Sequence, residues 1–211
     1  MNDTTSLINP AGRFWPGEPH FALFGAGHRR KLLYTAGVLS DALSGEVLER
    51  FEGSSAAFQP AAYRVDLSTP HGRVSLLEDE SGVWLERGGQ RQALSEAGEA
   101  VKLPSFEDHP RAELLRVLHH ELLVNVVDGA PLPNLFVYTK PWFRDAAMVA
   151  LALERTGNAG LLRAWVADLR DPFDRNNAGH EEPDNLGQVL TLIALTGFDA
   201  THPAEIGRAH V

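Results

Sequence analysis

The sequence predicts an α+β fold in two successive parts, an antiparallel β-rich domain over residues 21–105 followed by helical hairpins over residues 106–200. Three observations carry that prediction. Between Tyr63 and Glu86 apolar and polar residues alternate with period two and are interrupted by turn residues, the pattern of half-buried strands. After Leu103-Pro104 the apolar residues recur every three or four positions instead, which is the helical period. The chain has 211 residues, 44% of them hydrophobic and 22% charged, the composition of a globular protein that can bury a sizeable core.

The elements follow in order. Residues 1–20 carry no periodic pattern and are expected to be a flexible N-terminus. His20 to Phe24, Lys31 to Thr35 and Val47 to Phe51 are strand candidates, set apart by Gly25-Ala26-Gly27 and Ser44-Gly45. Tyr63-Arg64-Val65-Asp66-Leu67-Ser68 alternates cleanly, and Thr69-Pro70-His71-Gly72 turns it into Arg73-Val74-Ser75-Leu76-Leu77. Glu80-Ser81-Gly82 then leads into Val83-Trp84-Leu85-Glu86, and Arg87-Gly88-Gly89 turns again, giving an antiparallel meander.

In the second part Leu114, Leu115, Leu118, Leu122 and Leu123 share one face of a helix from Arg111 to Val127, ended by Asp128-Gly129 and the prolines beyond. A second helix, Phe143 to Thr156, is apolar on nearly every face and is expected to be buried. A third, Ala159 to Leu169, is two-sided, and a fourth, Asn185 to Thr196, is again mostly apolar. Short connections make neighbouring helices antiparallel, so the second and fourth point the same way. Arg144-Asp145 and Glu181-Glu182-Pro183-Asp184-Asn185 are therefore expected to face a common surface.

Charge and composition exclude several classes of function. A net charge of −9 repels phosphate backbones and anionic membranes, and His28-Arg29-Arg30-Lys31 is a short, isolated basic run. No nucleic-acid or membrane partner is expected. With no cysteine, thiol catalysis and zinc-thiolate sites are out of reach. The N-terminus has neither a basic nor an apolar segment, so the expected location is the cytoplasm. No cofactor and no metal are expected. His119 and His120 are adjacent on a helix and point about 100° apart, which suits surface or interface residues better than metal ligands. Gly25-Ala26-Gly27 lacks the third glycine and following helix of a dinucleotide site and is expected to be a tight turn. Asp171 to Gly179 is rich in oxygen ligands, but its spacing does not match a calcium loop.

Trp142-Phe143-Arg144-Asp145-Ala146-Ala147 before an apolar helix ending in Thr156-Gly157-Asn158, with Asp184-Asn185-Leu186-Gly187-Gln188 opening the next inner helix, resembles the six-hairpin glycosidases, above all the glucoamylase-like enzymes. The resemblance covers residues 133–197. It implies that the helical part is the first hairpins of an incomplete (α/α)6 barrel behind a β-rich domain, and that the substrate is a carbohydrate. It also implies that Trp142, Arg144 and Asp145 hold a sugar in the cleavage subsite, the indole stacking on its face and the charged pair binding its hydroxyls. In such enzymes the catalytic carboxylates lie further along the chain, so the 211 residues alone are expected to be an inactive fragment.

Glycoside hydrolysis needs two carboxyl groups roughly 5 to 10 Å apart. Asp145 can pair with Glu181, Glu182 or Asp184, with Asp145 and Glu182 taken as the expected catalytic pair, and Asn176, Asn177, Asp184, Asn185 and Gln188 complete the expected substrate-binding set. Two plainer readings stand beside this. Glu182 and Asp184 suit the first turn of a helix as caps, and Arg144 with Asp145 suits an ion pair closing a helix end. A non-catalytic sugar-binding or protein-interaction module on the same scaffold is the alternative function. Glu205-Ile206-Gly207-Arg208-Ala209-His210-Val211, read back as codons, resembles a sequencing-library adapter. Residues 201–211 are therefore expected to be a disordered tail, artefactual from 205.

Overall fold

Short strands, joined at several turns by glycines in left-handed conformations, build two antiparallel meanders. A computed structural model describes residues 19–96, 100–138, 140–175 and 179–197. The chain divides into two units. One comprises the residues up to Gly25, Arg30–Glu96 and Ser105–Leu118; the other comprises Ala26–Arg29, Ala97–Pro104 and the residues from His119 onward. The fold is α+β, with antiparallel sheets and four α-helices among the described residues.

In the first unit β1 (Phe21–Phe24), β2 (Leu32–Thr35), β3 (Val38–Asp41) and β4 (Val47–Arg50) pair in sequence order. A second meander follows in the order β5 (Ser55–Gln59), β6 (Arg64–Thr69), β7 (Gly72–Asp79), β8 (Gly82–Arg87) and β9 (Gln90–Glu96). The two share one core. Phe24, Leu32, Tyr34, Leu39 and Phe51 from the first meet Val65, Leu67, Val74, Leu76, Val83 and Leu85 from the second. The alternation seen in the sequence thus places every second residue of β6, β7 and β8 inward. The two-residue turn Gly88-Gly89 has φ values of 58° and 78°, the left-handed pair that a tight hairpin between right-twisted strands requires.

Strands β3, β5 and β9 are not among those the sequence predicts. β5 reads Ser-Ala-Ala-Phe-Gln and β9 is mostly polar, so neither alternates strongly. Both lie at the edges of the five-stranded sheet, where one neighbour supplies the backbone bonds and the side chains face less core.

The second unit gathers the C-terminal half of α1 (Ala112–Val124) and α2 (Phe143–Arg155). A 3-10 turn (Ala159–Leu162) runs into α3 (Arg163–Ala167), and α4 (Asn185–Leu195) closes it. Its core is Ala146, Ala150 and Leu153 of α2 packed with Leu123, Leu161, Leu162, Val166 and Leu192. Helix α1 stops at Val124, short of the expected Val127. Val126 and Val127 instead pair with Pro131 and Ala130 in a small hairpin, β10 (Val126–Val127) with β11 (Ala130–Pro131), across a turn in which Asp128 and Gly129 have φ of 51° and 78°.

The expectation that α2 is buried on every face is corrected. Ala146, Ala150 and Leu153 are fully buried, but Met148 is 67% and Leu151 42% exposed. Phe143, Ala146, Ala150 and Leu153 form the buried face of α2, and Met148 and Leu151 fall on the other. His119 and His120, expected at a surface or interface, are buried at 5% and 8% exposure. Among the described residues no helix is long and apolar enough to cross a membrane.

Candidate functional site

The site is built where two helices begin. Pro141 cannot donate a backbone hydrogen bond, and Trp142, in the N-cap position of α2 with extended φ and ψ of −113° and 134°, has no side-chain acceptor to offer. The free N–H of Phe143 therefore needs a partner from elsewhere. Asp174 supplies it, accepting that bond at 2.6 Å from the segment before α4.

From Asp174 a chain of hydrogen bonds returns to the start. The Asp174 N–H donates to Asn185 Oδ1 at 3.2 Å, and Asn185 Nδ2 donates to Gln188 Oε1 at 2.9 Å. Gln188 Nε2 donates to Asp184 Oδ2 at 2.8 Å. Arg144 Nη2 closes the ring, reaching Asp184 Oδ2 at 3.4 Å and Glu182 Oε2 at 2.7 Å. The first turns of α2 and α4 are thereby tied together. Since the two helices also pack side by side, they run parallel with their N-terminal ends at one end of the layer. Both helix dipoles present their positive ends there, which favours the carboxylates gathered around Arg144.

The expected site residues take different places in this arrangement. Arg144, Glu182, Asp184 and Gln188 meet directly. Of the ion pair's members Glu182 is the most shielded, its side chain 22% exposed against 59% for Arg144 and 54% for Asp184. Asn185 is fully buried and holds Asp174 and Gln188, an internal brace. Asp184 occupies the N-cap position of α4, yet its side chain makes no capping bond and turns to Arg144 and Gln188. Asp145 is exposed and, among the described residues, has no side-chain partner, so the expected Arg144–Asp145 pair is replaced by Arg144 with Glu182 and Asp184. Glu181 pairs with Arg175 at 3.2 Å where the two residues bridge across their loop. Asn176 and Asn177 lie outside the described residues.

Trp142 is half-buried, with the Tyr138 ring edge-on to it at 6.1 Å between centroids. The turn leading to it is anchored from below. Asn125, 7% exposed, accepts the Leu135 N–H at 2.7 Å, and the Asn134 side chain accepts the Phe136 N–H at 3.0 Å. Phe136, Val137 and Tyr138 consequently stand outward, 53%, 70% and 41% exposed. Tyr138 and Asp174 are the members of this region that sequence reasoning missed. The aromatic run between Pro133 and Pro141 was a signal for the first; a cap reaching back from residue 174 has no local signature. Among the described residues no three His, Asp or Glu side chains converge as metal ligands.

Arg144, Glu182, Asp184 and Gln188 are donors and acceptors fixed by one another, and the half-buried Trp142 stands two residues before Arg144 in the chain. An indole can stack on the C–H face of a polyhydroxylated ring, and charged groups fixed in this way can bond its paired hydroxyls. No family model, curated protein or solved structure matches the chain.

Proposed function

We propose that this corner is the carbohydrate-binding mouth of a glycoside-hydrolase-like protein. In this reading α1 to α4 are the first hairpins of an incomplete (α/α)6 barrel, and α2 and α4 are inner helices that open at the same end. The observation that carries it is the contact of Arg144 with Glu182 and Asp184, which joins the first turn of α2 to the residues that open α4. Trp142 stacks on the sugar, Arg144 and Asp184 bind its hydroxyls, and Gln188 holds Asp184 in position. Asp145, exposed and without a side-chain partner among the described residues, and Glu182 are the carboxyl groups for acid-base chemistry in the full protein. A cytoplasmic setting is part of the same proposal.

The alternative is a sugar-binding module without catalysis on the same scaffold, favoured by the engagement of Glu182 with Arg144. Calorimetric titration of the chain with maltotriose, cellotriose and xylotriose tests the shared part. The proposal expects one of these to bind, and expects Trp142→Ala and Arg144→Met each to weaken it by about tenfold or more, the scale of a lost stacking or charge-assisted contact. Binding that survives both substitutions overturns it, as does the absence of binding by all three sugars. If binding is lost in the variants, full-length protein carrying Asp145→Asn separates the two readings. Unchanged hydrolysis removes Asp145 from the chemistry.

A further inference from the structure

The five-stranded sheet has one face in the core and one open face, and the open face is organised. Register sets Asp66, Ser75, Glu86 and Arg91 in a single row across β6 to β9. Their side chains satisfy one another. Ser75 Oγ donates to Asp66 Oδ1 at 2.6 Å, Arg64 Nη2 donates to Ser75 Oγ at 2.7 Å, and Glu86 lies 3.6 Å from Arg64 and 3.8 Å from Arg91. Arg91 also pairs with Asp79 and lies over the Trp84 ring at 4.1 Å. One strong cation on this face stands outside the network. The guanidinium of Arg73 is exposed and, among the described residues, has no hydrogen-bond or ion-pair partner.

Arg73 also occupies a particular place. It is common to two hollows on the sheet, one of about 600 Å³ shared with His71, Glu86, Arg87 and Arg91, the other of about 390 Å³ shared with Arg64, Asp66 and Ser75. The larger hollow is floored by the two hairpin ends of this edge. One is the turn to β7, in which Thr69 Oγ1 accepts the His71 N–H at 3.1 Å; the other is the Gly88-Gly89 turn. Arg87 at its rim is neutralised by Glu49, and Arg91 by Asp79 and Glu86. What remains is an uncommitted guanidinium beside an imidazole and the side-chain-free backbone of the Gly88-Gly89 turn. In a chain of net charge −9, the lining of this hollow sets three arginines, Arg73, Arg87 and Arg91, against one carboxylate, Glu86.

We propose that this hollow binds the oxyanion of a small polar molecule, a carboxylate or phosphate group, with Arg73 as the contacting cation. A planar guanidinium accepts such a group through two parallel N–H bonds. The ion-paired network around it keeps Glu86 turned to its arginine neighbours, Arg64 and Arg91. This site belongs to the first unit and does not depend on the carbohydrate reading of the second.

The test is a set of NMR titrations of the 211-residue chain with inorganic phosphate, sodium glucuronate, glucose and sodium chloride at matched ionic strength. The Gly72, Gly88 and Gly89 amide signals are followed. Phosphate and glucuronate are expected to shift these amides saturably, whereas glucose and chloride are not. The stronger of the two oxyanions identifies the source, a phosphate ester or an acidic sugar. Arg73→Gln should weaken binding about fivefold or more, and Arg73→Lys less, because an ammonium keeps the charge without the fork. Arg155→Gln, the same charge change on an exposed side chain of α2, should leave it unaltered. An equal response to chloride, an equal loss in Arg155→Gln, or full binding by Arg73→Gln each overturns the proposal.

Discussion

Asp174 shows how one side chain can set the geometry of a site it does not belong to. Trp142 cannot cap α2, so the Phe143 N–H depends on the Asp174 carboxylate at 2.6 Å. Removing an N-cap acceptor costs about 1 kcal/mol, and here the lost bond also joins the loop before α4 to the start of α2. Asp174→Ala should lower stability by about 1 to 2 kcal/mol, read as a shift of the urea midpoint without a change in slope. Asp174→Asn, which keeps an acceptor, should lose less than half of that. Arg144 behaves differently, because an ion pair more than half exposed on one side contributes about 0 to 1 kcal/mol. A loss from Arg144→Met larger than that from Asp174→Ala would mean that the arginine is scaffolding and not a ligand-facing residue.

At the scale of elements, α1 is held to the loop after α2 by a buried histidine. The Thr156 hydroxyl donates to the Ala152 carbonyl at 3.1 Å, and His119 Nε2 hydrogen-bonds with the same hydroxyl at 2.8 Å. Asn158 continues the brace, taking the Lys102 N–H at 2.8 Å and donating to the Lys102 carbonyl at 3.0 Å. Burial first, and then the neighbouring His120, push the His119 imidazole down to about 4. Between that value and the ordinary 6.5 the unfolded chain binds a proton that the folded chain refuses. Stability contributed by neutral His119 is therefore complete above 6.5 and is lost as pH falls towards 4, with a slope of up to about 1.4 kcal/mol per pH unit. His119→Gln, which retains a hydrogen-bonding group for Thr156, should flatten the stability curve between pH 6.5 and 4. An unchanged slope would assign the acid sensitivity to other groups.

The same scale shows how much the sequence discloses. β6, β7 and β8 were legible because Val65, Leu67, Val74, Leu76, Val83 and Leu85 alternate with polar residues and all face one core. α2 was legible almost to the residue, because the Pro141-Trp142 start and the Gly157 stop are local signals. The meeting of Arg144 with Glu182 and Asp184 follows from α2 and α4 pointing the same way, which the alternation of short connections implies. The burial of His119 and the Asp174 cap depend on partners 37 and 31 residues away. Such partners leave no periodic trace. The exposure of Met148 and Leu151 was illegible for another reason, since hydrophobicity reports what a side chain prefers and not what its neighbours supply.

For the molecule as a whole, the second unit carries an uncovered apolar surface next to its candidate site. Met148 and Leu151 on α2 and Leu186 and Leu190 on α4 are between 42% and 67% exposed on two helices that pack together. Patches of that kind drive association, and the incomplete-barrel reading assigns them to further helices. Sedimentation of the 211-residue chain should show concentration-dependent self-association, which Met148→Lys with Leu190→Lys suppresses while leaving the unfolding midpoint within a few degrees. A monodisperse wild-type monomer would contradict the barrel reading, because the chain would then tolerate this surface bare. The central claim, that the tryptophan-arginine corner and the acidic corner form one sugar-binding mouth, is tested most directly by the indole N–H signal of Trp142, assigned by its loss in Trp142→Phe, during titration with maltotriose, cellotriose and xylotriose. The account predicts a saturable shift with one of these sugars that Asp184→Asn and Arg144→Met both diminish; an indole signal that no sugar moves would contradict it.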